Sequence, residues 1–278
     1  MRIAVLSGKG GTGKTFISVN LAVAANNACY VDCDVETPNG RLFLDDGSEC
    51  AVRKTTVLSP MFDKDACTGC RACVDFCAFG ALALVGGTPL LFDEVCHSCG
   101  GCLMVCNYSA ISEQPRQIGQ TESSMRKGLH VLSGRMDVGQ SSGIPVIQDL
   151  LAQANNPLII IDCPPGTACS AAECARHADY CLIVAEPSLY GTHNLQMVHE
   201  MITALDKPCG VVMNKVVDLE NPAEQYCAQQ RLEVFTRIPF DRDLARDLAE
   251  AKVMVEEDEE YRLLFHSLLE RVQGQVMA

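Results

Sequence analysis

The sequence predicts an α/β fold with a mostly parallel sheet and helices on both faces, into which a cysteine-rich α+β segment is inserted. Two observations predict the sheet. The chain opens with an apolar strand, a glycine-rich loop and a helical stretch, and apolar strands then alternate with helical stretches. A duplicated run of cysteines predicts the insert. The predicted organisation is a first part over residues 1–59, an insert over 60–113 and a second part over 114–278.

Composition limits the kind of protein this is. The chain has 278 residues, 48% of them hydrophobic, which is enough for a sizeable core. A net charge of -13 argues against nucleic acid and anionic membranes as partners. Residues 1–6 lead directly into the glycine-rich loop without a cleavage site, so we expect a cytoplasmic protein. Thiols stay reduced there, so clustered members of the 17 cysteines are expected to bind metal.

The glycine-rich loop has the pattern of a phosphate-binding loop between a strand and a helical stretch over residues 16–25. Its glycines let consecutive N–H groups face phosphate oxygens, and the helix N-terminus adds partial positive charge. Lys14 is expected to reach the β- and γ-phosphates of a nucleotide, and the Thr15 hydroxyl to bind Mg²⁺. The nucleotide-binding residues predicted here are Gly8, Lys9, Gly10, Gly11, Thr12, Gly13, Lys14, Thr15 and Phe16.

Acidic residues end a second apolar strand, over residues 28–32. Carboxylates at the carboxyl end of a parallel strand lie at the ligand-binding edge of the sheet. Asp32 is expected to hold a Mg²⁺-bound water, and Asp34 to orient or deprotonate the water that attacks the nucleotide. The alternative is that these aspartates cap a helix or a turn.

The segment from Gly8 to Thr15 resembles the deviant Walker A motif of the MinD/ParA/Mrp and nitrogenase iron-protein ATPases. The resemblance covers residues 1–58 and 113–278. It implies a dimer that encloses ATP, in which Lys9 reaches across the interface to the nucleotide of the partner subunit. Together with Lys9, the catalytic residues that it implies are Lys14, Asp34 and Asp162.

The same resemblance gives roles to three later motifs. The segment from Asp32 to Asn39 looks like the first switch, and the segment from Cys163 to Thr167, after the apolar strand that ends in Asp162, looks like the second. Asp162 would then reach Mg²⁺, and the Gly166 N–H would sense the γ-phosphate. Asn214 would recognise the adenine edge. The nucleotide-binding residues implied by these motifs are Asn39, Gly166, Asn214, Lys215, Pro239 and Asp241.

Two cysteine runs share the pattern Cx2Cx2Cx3C and are repeated at 29 residues. They resemble the bacterial two-cluster ferredoxin, in which three cysteines of a run bind one [4Fe–4S] cluster and the fourth ligates the other. The resemblance implies one cluster on Cys67, Cys70, Cys73 and Cys106, and a second on Cys96, Cys99, Cys102 and Cys77. Ala78 and Asn107 stand where that family usually has proline. Zinc fits this spacing poorly, since it takes four ligands, usually as paired CxxC units.

Cys169 follows the second switch, at an offset similar to that of a cluster-ligating cysteine in the nitrogenase iron protein. The resemblance makes it a candidate ligand of an interface metal or cluster, with Cys174 or Cys163 as a second ligand. A simple packed cysteine is the alternative. The apolar residues over 261–272 have helical spacing and predict a packed core helix rather than a membrane anchor.

The predicted function is that of a Mg-ATP-dependent dimeric ATPase. It would couple ATP binding and hydrolysis to low-potential electron transfer from two [4Fe–4S] clusters to a partner or an interface metal site. An iron–sulfur or metallocofactor carrier is the alternative, and a MinD-like positioning ATPase a weaker one. The expected cofactors are ATP, Mg²⁺ and the two clusters. The expected partners are a second copy or a related ATPase, and a redox protein or apo-metalloprotein, without nucleic acid or a stable membrane anchor.

Overall fold

The computed structural model describes residues 1–25 and 27–277, which form eleven strands and eleven helices. The strands are β1 (Arg2–Leu6), β2 (Ala28–Asp32), β3 (Ala51–Phe62), β4 (Leu82–Val85), β5 (Thr88–Leu91), β6 (Ile111–Arg126), β7 (Leu129–Met136), β8 (Leu158–Asp162), β9 (Tyr180–Ala185), β10 (Cys209–Val216) and β11 (Val234–Pro239). The helices are α1 (Lys14–Ala24), α2 (Gly40–Leu44), α3 (Ala72–Phe76), α4 (Gly101–Met104), α5 (Ile144–Gln153), α6 (Cys169–Arg176), α7 (Leu189–Ala204), α8 (Pro222–Gln230), α9 (Arg242–Ala249), α10 (Met254–Glu257) and α11 (Glu259–Met277).

Nine strands form one sheet in the order β11-β10-β9-β1-β8-β2-β7-β6-β3. Every pairing from β11 to β7 is parallel, whereas β6 pairs antiparallel with both β7 and β3. The predicted α/β fold with a mostly parallel sheet is therefore confirmed. Because β1, β8 and β2 are neighbours, their carboxyl ends meet at one edge of the sheet, which is where such sheets bind ligands.

The side chains of alternate residues in the buried strands pack into two hydrophobic cores, one on each face of the sheet. On one face Val31 and Ile161 pack with Leu150 of α5 and Val198 of α7. On the other face Ile160 packs with residues of α1 and α11. Helices on both faces were predicted, and this arrangement confirms them.

Strands β3 and β6 form a long antiparallel ribbon at the edge of the sheet. Their pairing runs from Ala51 opposite Ser123 to Phe62 opposite Ile111. The predicted domain boundaries, at 59/60 and 113/114, lie inside these two continuous strands. Residues 114–124 are rich in polar side chains, which a ribbon with solvent on one face tolerates.

Residues 63–110 lie beyond the end of this ribbon, where the Asp63 N–H donates to the Ala110 carbonyl at 2.9 Å. They contain α3, α4 and a separate two-stranded sheet of β4 and β5. The 29-residue repeat is visible in the backbone, because residues of three equivalent pairs all have positive φ. These pairs are Gly69 and Ser98, Arg71 and Gly100, and Gly80 and Ser109. The internal duplication is thus confirmed.

Helix α11 packs against α1 and buries Phe265, Leu268 and Val272. The predicted core helix over 261–272 is confirmed, except that Leu263 is 63% exposed on the solvent side of the helix. Within the part of the chain that the structure describes, no helix has the length and apolar character needed to cross a membrane.

Candidate nucleotide site and cysteine cavities

The glycine-rich loop joins β1 to α1 and is held closely by its neighbours. A Cβ on Gly13 would lie 2.1 Å from Asn214 Nδ2, and a Cβ on Gly8 would lie 2.5 Å from the Asn194 carbonyl oxygen. Gly13 also has φ of 95° at the start of the helix, a conformation that favours glycine. Gly10 and Gly11 instead face open space, with no atom of the described residues within 4 Å of an added Cβ. The loop therefore has a packed side and an open side, and the open side fits a phosphate group.

Lys14, the first residue of α1, forms a buried ion pair with Asp162 at the carboxyl end of β8. The Lys14 Nζ donates to Asp162 Oδ1 at 2.6 Å, and the two side chains are 7% and 1% exposed. Burial alone would lower the pKa of Lys14, but the Asp162 carboxylate outweighs it and raises this pKa. Two of the predicted catalytic residues are thus in contact. In this state Asp162 neutralises the lysine that is expected to reach the phosphates.

Asp32 lies beside Asp162, because the two residues are paired neighbours in β2 and β8. The Asp32 Oδ2 accepts a hydrogen bond from the Gly40 N–H at 2.9 Å, at the start of α2. Burial and the charge of Asp162 raise the pKa of Asp32 to about 8. Two buried carboxylates side by side favour a nearby cation, so this pair fits Mg²⁺. Thr15, the predicted hydroxyl ligand, is partly buried in the first turn of α1.

Asp34 is half-buried just beyond β2 and accepts a hydrogen bond from the Thr37 hydroxyl at 3.2 Å. Burial raises the pKa of this carboxyl group. A raised pKa suits a group that is to accept a proton from water. Asn39 is exposed and precedes α2 as its N-cap residue.

Lys9 forms an ion pair within its own subunit. Its Nζ lies 2.5 Å from Glu186 Oε2, just after β9, and 5.4 Å from the centre of the Tyr190 ring. Lys215 Nζ lies 2.8 Å from the other oxygen of Glu186 and donates to the Gly11 carbonyl at 2.6 Å. Burial opposes ionisation of Glu186, but the two ammonium groups prevail and lower its pKa. Glu186 therefore binds Lys9 of the glycine-rich loop and Lys215, which contacts the same loop at Gly11.

The amide of Asn214 is engaged at the base of the glycine-rich loop, where Nδ2 donates to the Thr12 carbonyl at 2.7 Å. The Gly166 N–H donates to the Ser7 carbonyl at 2.8 Å. Any contact of this N–H with a γ-phosphate therefore requires that hydrogen bond to break. Pro239 ends β11, and Asp241 caps α9 by accepting from the Asp243 N–H at 2.8 Å.

Phe16, also predicted to bind nucleotide, has only its backbone available for that contact. Its ring is 3% exposed and packs edge-on against Tyr261 and Phe265 of α11. One residue along a helix turns the side chain by about 100°. Thr15 can therefore lie near the nucleotide edge while Phe16 enters the core.

The eight cysteines of the two runs line two cavities in residues 63–110 and their immediate flanks. One cavity is narrow, with a volume of about 20 Å³, and is lined by Cys67, Cys70, Cys73 and Cys106. The other has a volume of about 320 Å³ and is lined by Cys77, Cys96, Cys99 and Cys102. Each cavity therefore combines three cysteines of one run with the fourth cysteine of the other.

Within residues 1–25 and 27–277, no three His, Cys, Asp or Glu side chains converge closely enough to hold a single metal ion. Four thiolates around one zinc ion would each lie at about 2.3 Å from it. A cubane cluster allows the four cysteine sulfurs to lie farther apart, because each of its four irons takes a different thiolate. Each cavity supplies four cysteines, which is the number of thiolate ligands that such a cluster takes.

The structure does not bring Cys169 and Cys174 together at the surface, so they do not form the predicted interface pair. Cys169 is exposed at the start of α6, whereas Cys174 and Cys163 are fully buried. Five residues along a helix place two side chains on different faces. The thiol of Cys174 contacts those of Cys163 and Cys33. The contact with Cys163 lowers the pKa of Cys174, but the contact with Cys33 and burial outweigh it and raise this pKa well above its ordinary value.

Two site residues were missed by the sequence analysis. Glu186 directly follows β9, and the same criterion that selected Asp32 and Asp162 would have found it. Tyr30 lies two residues before Asp32 on β2, so both side chains point to the same face. The Tyr30 hydroxyl donates to Asp162 Oδ2 at 2.8 Å.

Comparison with known proteins agrees with this geometry. Residues 3–254 match the family profile described as the CobQ/CobB/MinD/ParA nucleotide binding domain. The uncharacterized protein MJ0578 of Methanocaldococcus jannaschii is 28% identical over 262 residues, which are 90% of this chain and 88% of that protein. The cell division ATPase MinD of Pyrococcus furiosus has a similar fold, with a TM-score of 0.60 and 17% identity over 99% of this chain and 98% of that one. MinD of Pyrococcus horikoshii, solved with Mg-ADP, also has a TM-score of 0.60, with 16% identity over 99% and 96% of the two chains.

Proposed function

The chain belongs to the CobQ/CobB/MinD/ParA nucleotide-binding family, and we propose that it is a Mg-ATP-dependent dimeric ATPase that controls low-potential electron transfer from two [4Fe–4S] clusters. The acceptor is a partner protein or a metal site at the dimer interface. The main support for the proposed electron transfer is the lining of the two cavities. Each cavity is lined by three cysteines of one run and one cysteine of the other.

The nucleotide half rests on the edge of the sheet where β1, β8 and β2 end. Lys14 leaves Asp162 to bind the phosphates, and Thr15, Asp32 and Asp162 then face Mg²⁺ as hydroxyl and carboxylate groups. Bound Mg²⁺ neutralises charge that develops on the phosphates. Asp34 accepts a proton from the attacking water or orients it. The Pyrococcus horikoshii relative of similar fold was solved with Mg-ADP, which supports this assignment.

The redox half rests on residues 63–110. Bound [4Fe–4S] clusters store and pass single electrons at low potential. Backbone N–H groups of Ala81 and Ser98 point at sulfurs of Cys77 and Cys96, at 3.4 and 3.5 Å. Hydrogen bonds to ligand sulfurs are among the features that set the potential of a cluster. These donors therefore suit the fourth cysteine of one run and the first of the other as ligands of one cluster.

The proposal is tested by counting iron and labile sulfide per chain after anaerobic purification. We expect about eight irons, the content of two [4Fe–4S] clusters. The count should stay constant during Mg-ATP turnover with an apo-acceptor protein present, while phosphate is released. Transfer of iron to the acceptor would instead establish the carrier function, and Cys169→Ser would show whether the exposed thiol of α6 takes part.

Glu186 is expected to restrain dimerisation, because it holds Lys9 in its own subunit at 2.5 Å. Glu186→Gln removes the charge, so Lys9 becomes free to reach a partner subunit. The ion pair is partly exposed and its loss is worth about 1 kcal/mol, so we expect dimerisation with a non-hydrolysable ATP analogue at roughly fivefold lower protein concentration. Sedimentation velocity measures this effect.

Glu200→Gln is the matched control for that experiment, because Glu200 is an exposed carboxylate on α7, which begins three residues after Glu186. Its dimerisation should match that of the wild type. Unchanged dimerisation of Glu186→Gln would show that the ion pair does not limit the movement of Lys9.

A chain of contacts connects the carboxyl ends of β1, β8 and β2, where nucleotide is proposed to bind, to residues 63–110, which contain the two cysteine runs. Asp32 accepts from the Gly40 N–H, which begins α2, and the next residue, Arg41, forms an ion pair with Glu122. Glu122 lies on β6, whose other end leads directly into residues 63–110. Movement of the first switch is therefore transmitted to the ribbon that carries the cysteines.

We expect Arg41→Gln to weaken the response of the clusters to nucleotide while leaving ATP hydrolysis within about twofold. Coupling between sites carried by one contact is typically about 0.5–2 kcal/mol, so the nucleotide-induced shift in cluster potential should fall by half or more. Redox titration with and without Mg-ATP measures it. Arg53→Gln is the control, because Arg53 lies on the same ribbon but pairs with Asp149 of α5 at 3.8 Å. An identical nucleotide shift in Arg41→Gln and wild type would refute this route.

A further inference from the structure

Tyr30 carries a polar group into the centre of the fold. It is among the largest side chains that are completely buried, and its ring packs in the core on the α1 side of the sheet. A phenol without a partner is costly to bury. Here the Tyr30 hydroxyl donates to Asp162 Oδ2 at 2.8 Å.

The two oxygens of Asp162 have different partners. Lys14 Nζ holds Oδ1 at 2.6 Å, and the Tyr30 hydroxyl holds Oδ2. Lys14 is the residue that turns to the phosphates when nucleotide binds. Tyr30 lies on a strand in the centre of the sheet and cannot follow. Its hydrogen bond is therefore the contact that remains on Asp162 after Lys14 has left.

The backbone of Gly40 packs closely against the Tyr30 hydroxyl. A Cβ on Gly40 would lie 1.8 Å from the Tyr30 hydroxyl oxygen, so only glycine lets α2 begin here. The Gly40 N–H meanwhile donates to Asp32 Oδ2 at 2.9 Å. The phenol thus lies against the backbone that holds Asp32 while it binds Asp162 directly. These buried contacts therefore orient both Asp32 and Asp162, the two carboxylates that are predicted to bind Mg²⁺.

We propose that Tyr30 is a positioning residue for Asp162, holding Oδ2 so that Oδ1 is presented to Mg²⁺ once Lys14 has turned to the nucleotide. This inference rests on the proposed Mg-ATP function. It predicts that loss of the Tyr30 hydroxyl weakens nucleotide binding only when Mg²⁺ is present. A role in packing alone would change binding equally with and without the metal.

Tyr30→Phe tests the inference, because it removes the hydroxyl and keeps the ring. Equilibrium binding of ADP is measured with Mg²⁺ and with EDTA, on protein whose folding is checked by thermal unfolding. We expect the affinity with Mg²⁺ to fall roughly tenfold, the effect of losing a hydrogen bond to a charged group, and the affinity in EDTA to stay within twofold. Tyr180→Phe is the control, since Tyr180 is also buried but lies at the amino end of β9, away from the carboxyl ends of the strands where nucleotide is proposed to bind. It should bind like the wild type.

A double-mutant cycle separates positioning from general destabilisation. In an Asp162→Asn background, adding Tyr30→Phe should change Mg-ADP affinity by less than twofold, because no carboxylate remains to be oriented. Equal losses with Mg²⁺ and EDTA, or fully additive effects in the cycle, would overturn the inference and leave the proposed function intact. A wild-type protein that binds ADP equally with and without Mg²⁺ would overturn both.

Discussion

Lys14→Ala is expected to lower the free energy of unfolding of the nucleotide-free protein by about 3–5 kcal/mol, in addition to abolishing nucleotide binding. Removal of one partner of a buried ion pair leaves the other as an uncompensated buried charge, which is what makes the loss so large. Here Asp162, only 1% exposed, would remain beside Asp32, a second buried carboxyl group. Chemical denaturation without nucleotide measures the effect.

The matched rescue is Lys14→Ala combined with Asp162→Asn. The asparagine keeps the shape of the side chain and an oxygen that accepts from Tyr30, but it carries no charge. Most of the lost stability should return, while ATP binding should not. If Lys14→Ala is as stable as the wild type, the ion pair contributes nothing net to folding and the argument from burial is wrong.

The pH dependence of stability provides an independent check on the same pair of carboxyl groups. The pKa of Asp32 is raised to about 8 in the folded protein, from an ordinary value near 4. Between these values the folded chain holds a proton that the unfolded chain has lost, so stability falls as pH rises through this window. Asp32→Asn should flatten that fall and should be more stable than the wild type at pH 8. An equal slope in both proteins would contradict the assignment of the shift to Asp32.

Much of the fold could be predicted because its central strands are short, apolar and bounded by chemical signals. The strand at Ala28–Asp32 was predicted with these limits, and the strand at Leu158–Asp162 with its end at Asp162. The ribbon was not predicted, although Ala51–Phe62 and Ile111–Arg126 are the longest strands of the sheet. Both are rich in polar residues and largely exposed, so their pairing is set by each other and by β7 rather than by an apolar pattern.

The site could be predicted only where local sequence carries the chemistry. The glycine-rich loop and the acidic strand ends are local signals of this kind. By contrast, the contact between Tyr30 and Asp162 joins residues 132 positions apart, and that between Lys9 and Glu186 depends on β1 and β9 being neighbours. Such contacts follow from strand order, which residue spacing does not encode. Cys174 was misjudged for a related reason, because the face that a helix buries depends on what packs against it.

Cys106→Ser is expected to remove the cluster of the cavity lined by Cys67, Cys70 and Cys73, although Cys106 belongs to the other run. Iron per chain should fall from about eight to about four, because one of two [4Fe–4S] clusters loses a ligand. Cys77→Ser should remove the opposite cluster, since Cys77 lines the cavity of Cys96, Cys99 and Cys102. Iron analysis and the EPR spectrum of the reduced protein measure both effects.

The decisive comparison is between spectra rather than iron counts, because every ligand variant is expected to lose the same amount of iron. If the runs exchange their fourth cysteines, the cluster that survives in Cys106→Ser is the one that survives in Cys67→Ser, and their spectra coincide. If each run is self-contained, Cys106→Ser instead matches Cys99→Ser, and the exchange is refuted. Cys50→Ser is the control, since this partly buried cysteine lies outside both runs and should leave about eight irons in place. The exchange makes each cluster depend on both halves of the 29-residue repeat, so neither half of residues 63–110 should assemble a cluster alone.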